Sequence, residues 1–296
     1  MWWIACTLIA AAAQTARNAM QSGLTGSIGT LGATQVRFLY GFPFALLFLL
    51  IAVAATQSSV PAPSARFLAF TSGGAVAQIL ATALLLNAMH HGSFSVATAL
   101  SKTEAVQIAV FGLLILGEHL TPMRMLAIAV ATLGVALVAV KPSEKWSTAS
   151  ARPALLGIAS GAGFALAAVG FRGGILALAD GSYWLRATTT LAWALGIQAL
   201  LLGIWMAAFA REALLGSLRL WRKSLLAGFL GAFASQFWFL GFSLTAAANV
   251  RTLGLVEVLF ANAVGRSVFQ QKVSRREALG MLLIVAGVGL LMVAVS

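Results

Sequence analysis

Residues 104–140 read EAVQIAVFGLLILGEHLTPMRMLAIAVATLGVALVAV, and residues 257–293 read EVLFANAVGRSVFQQKVSRREALGMLLIVAGVGLLMV. Aligned without gaps, the two stretches share identities that include the first glutamate, the glycine pair 112/265, the leucine pair 126/279 and the Gly-Val pair 134–135/287–288. The identities are few, so the correspondence rests mainly on the common pattern of polar and apolar residues. Glu104 and Glu257 both lie inside apolar sequence, where a charged side chain is energetically costly in a bilayer. The pattern therefore predicts two related halves with a buried acid in each.

Composition places this chain in a lipid bilayer. It has 296 residues, of which 60% are hydrophobic and 9% charged, which is too apolar for a soluble protein. Runs of about 20 apolar residues, enough to cross roughly 30 Å of hydrocarbon, predict helices because backbone polar groups cannot stay unpaired in lipid. We therefore expect an all-α polytopic membrane protein with ten transmembrane helices. They are predicted at approximately 2–20, 32–54, 67–89, 94–117, 122–140, 153–178, 182–209, 224–246, 249–269 and 275–295.

The charge pattern and the cysteine content exclude other classes of protein. The formal net charge is +12, but Lys and Arg lie mostly in short connectors between apolar runs, as in cytoplasmic loops. We therefore expect no nucleic-acid partner. The lone Cys6 excludes an intramolecular disulfide, and the residues after Met1 lack the basic start of a cleavable signal peptide. No Ser/His/Asp, Cys/His or metal-ligand pattern is present, so we expect no enzyme, cofactor or metal site.

The most polar connector, residues 141–152, divides the chain almost in half. We predict a first five-helix repeat over 1–140 and a second over 153–296. Polar residues recur across the divide, since Gln78 in the third span corresponds to Gln236 in the eighth. A unit with an odd number of crossings enters the membrane from opposite sides in its two copies, so the repeats are expected to be inverted. Inverted repeats are typical of secondary transporters, whose substrate site lies at mid-membrane between the halves.

A short motif indicates a family. Gly117-Glu118-His119-Leu120-Thr121 precedes an apolar span ending in Leu133-Gly134-Val135. With ten spans in two five-helix halves, this pattern resembles the drug/metabolite transporter superfamily, and more specifically EamA-type exporters, which include aromatic amino-acid exporters of the YddG type. Many relatives have a proline in the fourth span, whereas this chain reads Lys102-Thr103-Glu104-Ala105-Val106, so no kink can be assumed there.

Two observations disagree about the orientation of the chain in the membrane. One alternating set of connectors carries only Arg66 and Arg124, whereas the other set carries ten basic residues. Because connectors rich in Lys and Arg face the cytoplasm, this count places both termini outside. The family resemblance implies the opposite, with both termini in the cytoplasm. The orientation therefore stays open.

Two acids and one lysine are the main candidates for binding a solute or an ion. Glu104 shares one face of the fourth span with other polar residues, whereas Lys102 lies on a different face and is expected to reach another helix. Glu257 occupies the corresponding place in the ninth span. Each glutamate either binds a cation, a proton or a substrate amine, or forms a buried structural pair with Lys102, Arg251 or another arginine.

Four further residues complete the predicted site. Arg17 extends a polar stripe on the first span and suits an anionic group such as a carboxylate; alternatively, it snorkels to the membrane interface. Gln78 continues a polar stripe on the third span, which has no purpose against lipid. Gln236 is followed by aromatic residues that include Trp238. These either line a cavity for a flat, partly apolar substrate or pack against neighbouring helices.

Architecture and site together predict a secondary transporter that exports a small organic solute across a bacterial-type inner membrane by alternating access. The family resemblance suggests amino acids or related metabolites as substrates. The alternative is a lipid flippase or a non-transporting membrane partner protein. The expected partners are the small-molecule substrate and the lipid bilayer, and the sequence indicates no particular oligomeric state.

Overall fold

The computed structural model describes residues 1–91, 100–139, 151–269 and 274–295, and every regular element in these ranges is helical. This agrees with the predicted all-α fold class. A 3-10 helix joins the tenth helix to the eleventh. The helices are α1 (Trp2–Leu39), α2 (Gly41–Thr56), α3 (Ala65–His91), α4 (Glu104–Leu116), α5 (Pro122–Ala139), α6 (Ala151–Ala177), α7 (Tyr183–Phe209), α8 (Arg211–Arg219), α9 (Trp221–Leu244), α10 (Ala247–Leu253), the 3-10 helix Gly254–Val256, α11 (Glu257–Phe269) and α12 (Arg275–Val295).

The first helix differs most from its predicted bounds. α1 runs through the predicted connector between the first two spans and contains one sharp kink, at Gly29, whose φ is 68° and ψ 175°. Backbone of this kind is essentially restricted to glycine. The helical hydrogen bonding is interrupted again after Leu39, close to Pro43 in the first turn of α2. Because proline has no N–H, it cannot complete the bond that a helix makes to the carbonyl four residues earlier.

The later helices follow the predicted spans more closely. Residues 275–295 form α12, and α7 begins one residue after the start predicted for the seventh span. The long connector predicted at 210–223 contains a helix that sequence analysis missed, α8. This helix combines charged residues with an apolar side that packs against α1 and α7. The search for apolar runs of about 20 residues finds helices that span a membrane. It cannot find a nine-residue amphipathic helix such as α8.

Seven segments of the described chain are long and apolar enough to cross a membrane. The helix α4 is apolar but shorter, and it begins ten residues after the start predicted for the fourth span; residues 92–99 lie outside the described ranges. A polytopic membrane protein is therefore supported by length and composition, and the count of ten spans stays a prediction. The seven segments are Leu31–Thr56, Ala65–Ala88, Pro122–Ala139, Arg152–Ala177, Tyr183–Phe209, Trp221–Leu244 and Arg275–Val295.

The chain forms two compact units. Unit 1 comprises Met1–Val76 and Gly170–Thr245, and unit 2 comprises Ala77–Val169 and Ala246–Ser296. Each unit combines segments from both predicted repeats, because helices distant in sequence pack together. The predicted connector 141–152 lies mostly outside the described residues, and the division of the sequence into two repeats stays a prediction.

In unit 1, α9 packs along α1 and also contacts α2 and α7. Small residues on α9 allow this close approach. A Cβ atom added at Gly228 would lie 2.5 Å from Cβ of Tyr40, closer than two carbon atoms can pack. Edge-to-face contact between Phe44 and Phe229, with ring centroids 5.3 Å apart, fills the space between α2 and α9. The helix α9 is therefore the central element of unit 1.

In unit 2, α5 packs closely against α12, and the contact is reciprocal. A Cβ added at Gly134 would lie 2.6 Å from the carbonyl oxygen of Gly280, and one added at Gly287 would lie 2.8 Å from that of Ala127. In the ungapped alignment of the two stretches, equivalent residues are 153 positions apart. Gly134 therefore corresponds to Gly287, Ala127 to Gly280 and Glu104 to Glu257. Equivalent residues therefore make equivalent contacts, as in a two-fold, self-complementary interface.

The direction of the two helices follows from the same contacts. Moving forward along α5 from Ala127 to Gly134 corresponds to moving backward along α12 from Gly287 to Gly280. The helices therefore cross in antiparallel directions. A local two-fold relationship between antiparallel, sequence-related helices is the geometry that an inverted duplication produces.

Candidate functional site

Both predicted glutamates begin a helix in unit 2, directly after an interruption of regular helical hydrogen bonding. Glu104 is the first residue of α4 and Glu257 the first residue of α11. The turn before Glu104 is tightened, because the N–H of Thr103 bonds to the carbonyl of Leu100 three residues earlier. The 3-10 helix Gly254–Val256 has the same hydrogen-bond spacing. A carboxylate at a helix N-terminus interacts favourably with the partial positive charge of that end.

The interruption before Glu104 has a local cause. The hydroxyl of Thr103 donates to the carbonyl of Leu100 at 2.6 Å and accepts from Nε2 of Gln107 at 3.1 Å. Threonine side chains that bond to nearby backbone compete with regular helical hydrogen bonding. Gly161 of α6 packs against this turn, where an added Cβ would lie 2.9 Å from the carbonyl oxygen of Ser101. A tightened turn therefore precedes Glu104 without a proline.

Glu104 forms an ion pair with Arg251, which lies in the last turn of α10. The distance from Nη2 of Arg251 to Oε1 of Glu104 is 2.5 Å, and the exposed fractions of the two side chains are 16% and 5%. Breaking such a pair leaves an uncompensated buried charge, which is strongly destabilising. This pair is one of the partnerships that the sequence left open for Glu104.

Lys102 and Glu257 form a second ion pair, between Nζ and Oε1. Its side chains are 19% and 13% exposed, so it is less deeply buried than the Glu104–Arg251 pair. The prediction that Lys102 reaches another helix, rather than Glu104, is confirmed. The two pairs cross between two segments of the chain, 102–104 and 251–257. Each segment supplies the acid of one pair and the base of the other. We call these four residues the crossed ion pairs.

Unit 1 holds three of the other candidates, Gln236, Trp238 and Arg17. Nε1 of Trp238 donates to Oε1 of Gln14 at 3.1 Å, which links α9 to α1. Nε2 of Gln236 donates to Oγ1 of Thr188 at 2.8 Å, which links α9 to α7. Gln236 and Trp238 are both buried, but they point to different neighbouring helices. They therefore belong to different contacts and do not line one surface together.

Arg17 is buried, with 7% of its surface exposed, and its Nη2 donates to Oδ1 of Asn18 at 2.6 Å. A Cβ added at Gly231 of α9 would lie 3.5 Å from Cδ of Arg17 and 3.4 Å from Cγ of Arg37. The aliphatic stems of both arginines therefore pack against the same glycine of α9. Arg37 was not among the residues predicted for the site.

Gln78 lies half-buried on α3 in unit 2. Its carbonyl accepts the hydroxyl of Thr82 at 2.8 Å, a bond within the helix that says nothing about substrate. Thr188 was not foreseen as the partner of Gln236. It lies in a run of three threonines, Thr188, Thr189 and Thr190, so the spacing gave no reason to choose it. Among the described residues, no group of three or more His, Cys, Asp or Glu side chains is placed to hold a metal ion.

Comparison with known proteins agrees with the architecture. Residues 1–140 match the EamA-like transporter family, so the match ends where the first predicted repeat ends. A solved structure described only as "Crystal structure of protein" is similar, with 14% sequence identity, a TM-score of 0.74, and coverage of 98% of this chain and 96% of the other. At this identity the likeness shows the fold alone. No curated protein matches the sequence.

Proposed function

We propose that this chain is a secondary transporter that exports small organic solutes, with amino acids or related metabolites as the substrate class. The observation that carries the proposal is the match of residues 1–140 to the EamA-like transporter family, which implies membrane transport of a small solute. Seven apolar segments long enough to cross a bilayer support it. The bacterial-type inner membrane is the proposed location, and ten spans in two inverted five-helix repeats the proposed architecture.

The reciprocal packing of α5 and α12 supports the inverted repeat. Gly134 and Gly287 are separated by the repeat shift, and each contacts the other's helix at the equivalent place. Two antiparallel copies of one unit present the same surfaces to opposite sides of a membrane. Such a construction can open to either side with similar packing energy, which is the physical basis of alternating access.

The crossed ion pairs supply a two-state element for this mechanism. Charges inside apolar helices are costly unless they are paired, so the four residues hold their two segments in one arrangement. Each pair lies at a tightened turn, and short 3-10 stretches often mark hinges. We propose that solute binding competes with the crossed ion pairs and shifts the population of the two access states.

Flux through purified protein in liposomes tests the proposal. We expect radiolabelled amino acids from a mixed panel to move faster than through protein-free liposomes, and a parallel series with an imposed pH gradient tests proton coupling. Glu104→Gln should reduce this flux, while Glu212→Gln, at an exposed glutamate of α8, serves as the matched control. If no amino acid moves faster than through protein-free liposomes, the proposed substrate class is wrong.

The same liposomes test the alternative function. A fluorescent phospholipid placed in both leaflets becomes fully accessible to an impermeant quencher only if the protein moves lipid between leaflets. Rapid lipid movement without amino-acid flux would replace the proposed exporter by a flippase. If neither lipid nor amino acid moves, a non-transporting partner protein is the better description.

A further inference from the structure

We propose that residues 211–223, which we call the α8 segment, lie along the membrane surface and bind the headgroups of anionic phospholipids. The helix α8 connects two apolar segments that are long enough to cross a membrane, Tyr183–Phe209 and Trp221–Leu244. A single residue separates it from each of them. Its nine residues are too few to cross roughly 30 Å of hydrocarbon. Both ends of α8 are therefore held where the neighbouring segments leave the membrane.

One side of α8 packs against α1 through small residues. A Cβ atom added at Gly216 would lie 3.3 Å from Cγ2 of Ile28. The hydroxyl of Tyr40 donates to the backbone carbonyl of Ser217 at 3.0 Å, and Ser217 is fully buried. These contacts fix the rotation of α8 about its own axis, so the opposite side of the helix faces outward.

The outward side of α8 is amphipathic. Leu215 and Leu218 are 38% and 45% exposed, and their three-residue spacing places them on one face. Arg219, four residues after Leu215, is also exposed. A helix that lies in the interface buries its leucines at the boundary of the acyl chains, while its arginines extend toward the headgroups. Contact with lipid therefore accounts for two large apolar side chains that the fold of unit 1 leaves uncovered.

The charge of the α8 segment determines which headgroups it favours. The segment contains four basic residues and one acid, Glu212, and all five are exposed. Each Lys or Arg near an anionic membrane surface strengthens binding about fivefold, whereas a zwitterionic headgroup offers no net charge. Three of the four basic residues fall within five positions at the end of the segment. The four are Arg211, Arg219, Arg222 and Lys223.

Trp221 places part of this charge at the level of the headgroups. Its side chain is 46% exposed, and tryptophan is enriched where a membrane meets water. The guanidinium of Arg222 lies over the indole ring, with Cζ 5.2 Å from the ring centroid, a cation–π contact. The planar guanidinium keeps N–H groups that match a phosphate. The tryptophan therefore positions a phosphate donor beside the exposed leucines.

Thermal unfolding in an uncharged detergent tests the choice of headgroup without any transport. The purified full-length protein is mixed with dioleoylphosphatidylglycerol or with dioleoylphosphatidylcholine. We expect phosphatidylglycerol to raise the Tm more, since a ligand that binds the folded state stabilises it. Because salt screens exposed charges, about 0.5 M NaCl should remove most of the difference. Equal Tm shifts with the two lipids overturn the proposal. An equal shift with glycerophosphoglycerol, the soluble headgroup, would replace the lipid surface by a site for a free anion.

Two matched double variants locate the binding. Arg219→Gln/Arg222→Gln should raise the proportion of phosphatidylglycerol needed for half of the Tm shift by at least about tenfold, as expected for two lost charges. Arg66→Gln/Arg275→Gln removes two exposed arginines elsewhere and should leave that proportion nearly unchanged. Equal losses in the two variants would show that the overall charge matters and the α8 segment does not. Arg219→Lys/Arg222→Lys keeps both charges and should retain the preference for phosphatidylglycerol.

A fluorescent label tests whether the outward leucines enter lipid. Because Cys6 is the only cysteine, Cys6→Ser/Leu218→Cys and Cys6→Ser/Glu212→Cys each carry one thiol for labelling. The two labelled positions are six residues apart and lie on different faces of α8. In phosphatidylglycerol vesicles, brominated acyl chains should quench the label at position 218 more strongly than the label at position 212. Equal quenching overturns the placement of α8 in the interface. Neither measurement involves flux, so failure of the proposed function and failure of this inference are separable.

Discussion

Glu104 and Arg251 lie 147 residues apart in sequence, and their side chains meet at 2.5 Å inside unit 2. The acid begins α4 and the base ends α10, so each charge also lies at the helix end whose partial charge it offsets. Lys102 and Glu257 repeat this relationship with the acid and the base exchanged between the two segments. Both glutamates predicted to act in transport therefore also form ion pairs between distant segments. Experiments must separate a role in transport from a role in stability.

The first prediction separates stability from transport at Glu104. Glu104→Gln leaves the positive charge of Arg251 buried without its counter-charge, and we expect a loss of roughly 3 kcal/mol in the free energy of unfolding. The double variant Glu104→Gln/Arg251→Gln should regain most of this loss. Denaturation of the purified protein measures both. If the double variant regains stability and still fails in the flux assay, Glu104 acts in transport; if flux returns with stability, its role is structural.

The second prediction concerns the other crossed pair. Lys102 and Glu257 are more exposed than Glu104 and Arg251, and water weakens interactions between charges. Lys102→Gln should therefore destabilise the protein less than Arg251→Gln does, in the same denaturation assay. The exchange Lys102→Glu/Glu257→Lys should be more stable than either single change, because it restores opposite charges. An exchange less stable than both single variants would show that the pair is not an independent contact.

The third prediction tests the reciprocal contact of α5 and α12. Gly134→Ala and Gly287→Ala each place a methyl group within 2.9 Å of backbone atoms of the facing helix, and overpacking of this kind costs about 1–3 kcal/mol. We expect similar losses of stability for the two changes, since the contacts are equivalent. Gly289→Ala is the control on α12, because its added Cβ meets nothing within 4 Å. That change should be neutral or stabilising, since alanine favours helix over glycine.

The fourth prediction addresses the kink in α1 at Gly29. Gly29→Ala forces a Cβ into backbone with a φ of 68°, which costs on the order of 1–3 kcal/mol. An added Cβ meets nothing within 4 Å, so any loss of stability comes from the backbone alone. Gly73→Ala on α3, which has equal space and no positive φ, is the matched control. If Gly29→Ala is as stable as Gly73→Ala, alanine is tolerated in this backbone and the kink does not depend on glycine.

The fifth prediction concerns orientation. The connector charges predict that the C-terminus lies outside the cytoplasm, because the set of connectors on the opposite side carries most of the Lys and Arg residues. A reporter that is active only outside the cytoplasm, fused after Ser296, should therefore be active, and one active only inside should be silent. The reverse pair of results would favour the orientation that the family resemblance implies.

Sequence was sufficient for the parts of the fold that depend on local composition. Apolar runs located α7 and α12 almost to the residue, because burial in lipid requires a continuous helix of set length. The helix α8 was missed because it is short and amphipathic. The kink at Gly29 was also missed: Gly29 is one of four glycines at three-residue intervals in 23–32, and nothing local shows which residue of such a run takes a positive φ.

At the candidate site, composition and spacing were enough to show which residues carry charge inside apolar helices, and that one shift of 153 residues relates the two glutamates. Both are properties of the chain alone. The partners of these residues came from the fold: Arg251 for Glu104, Lys102 for Glu257, and Gly231 as the glycine against which the stems of Arg17 and Arg37 pack. An ion pair between helices depends on how distant segments pack, because a helix turned by a few tens of degrees presents different side chains to its neighbour.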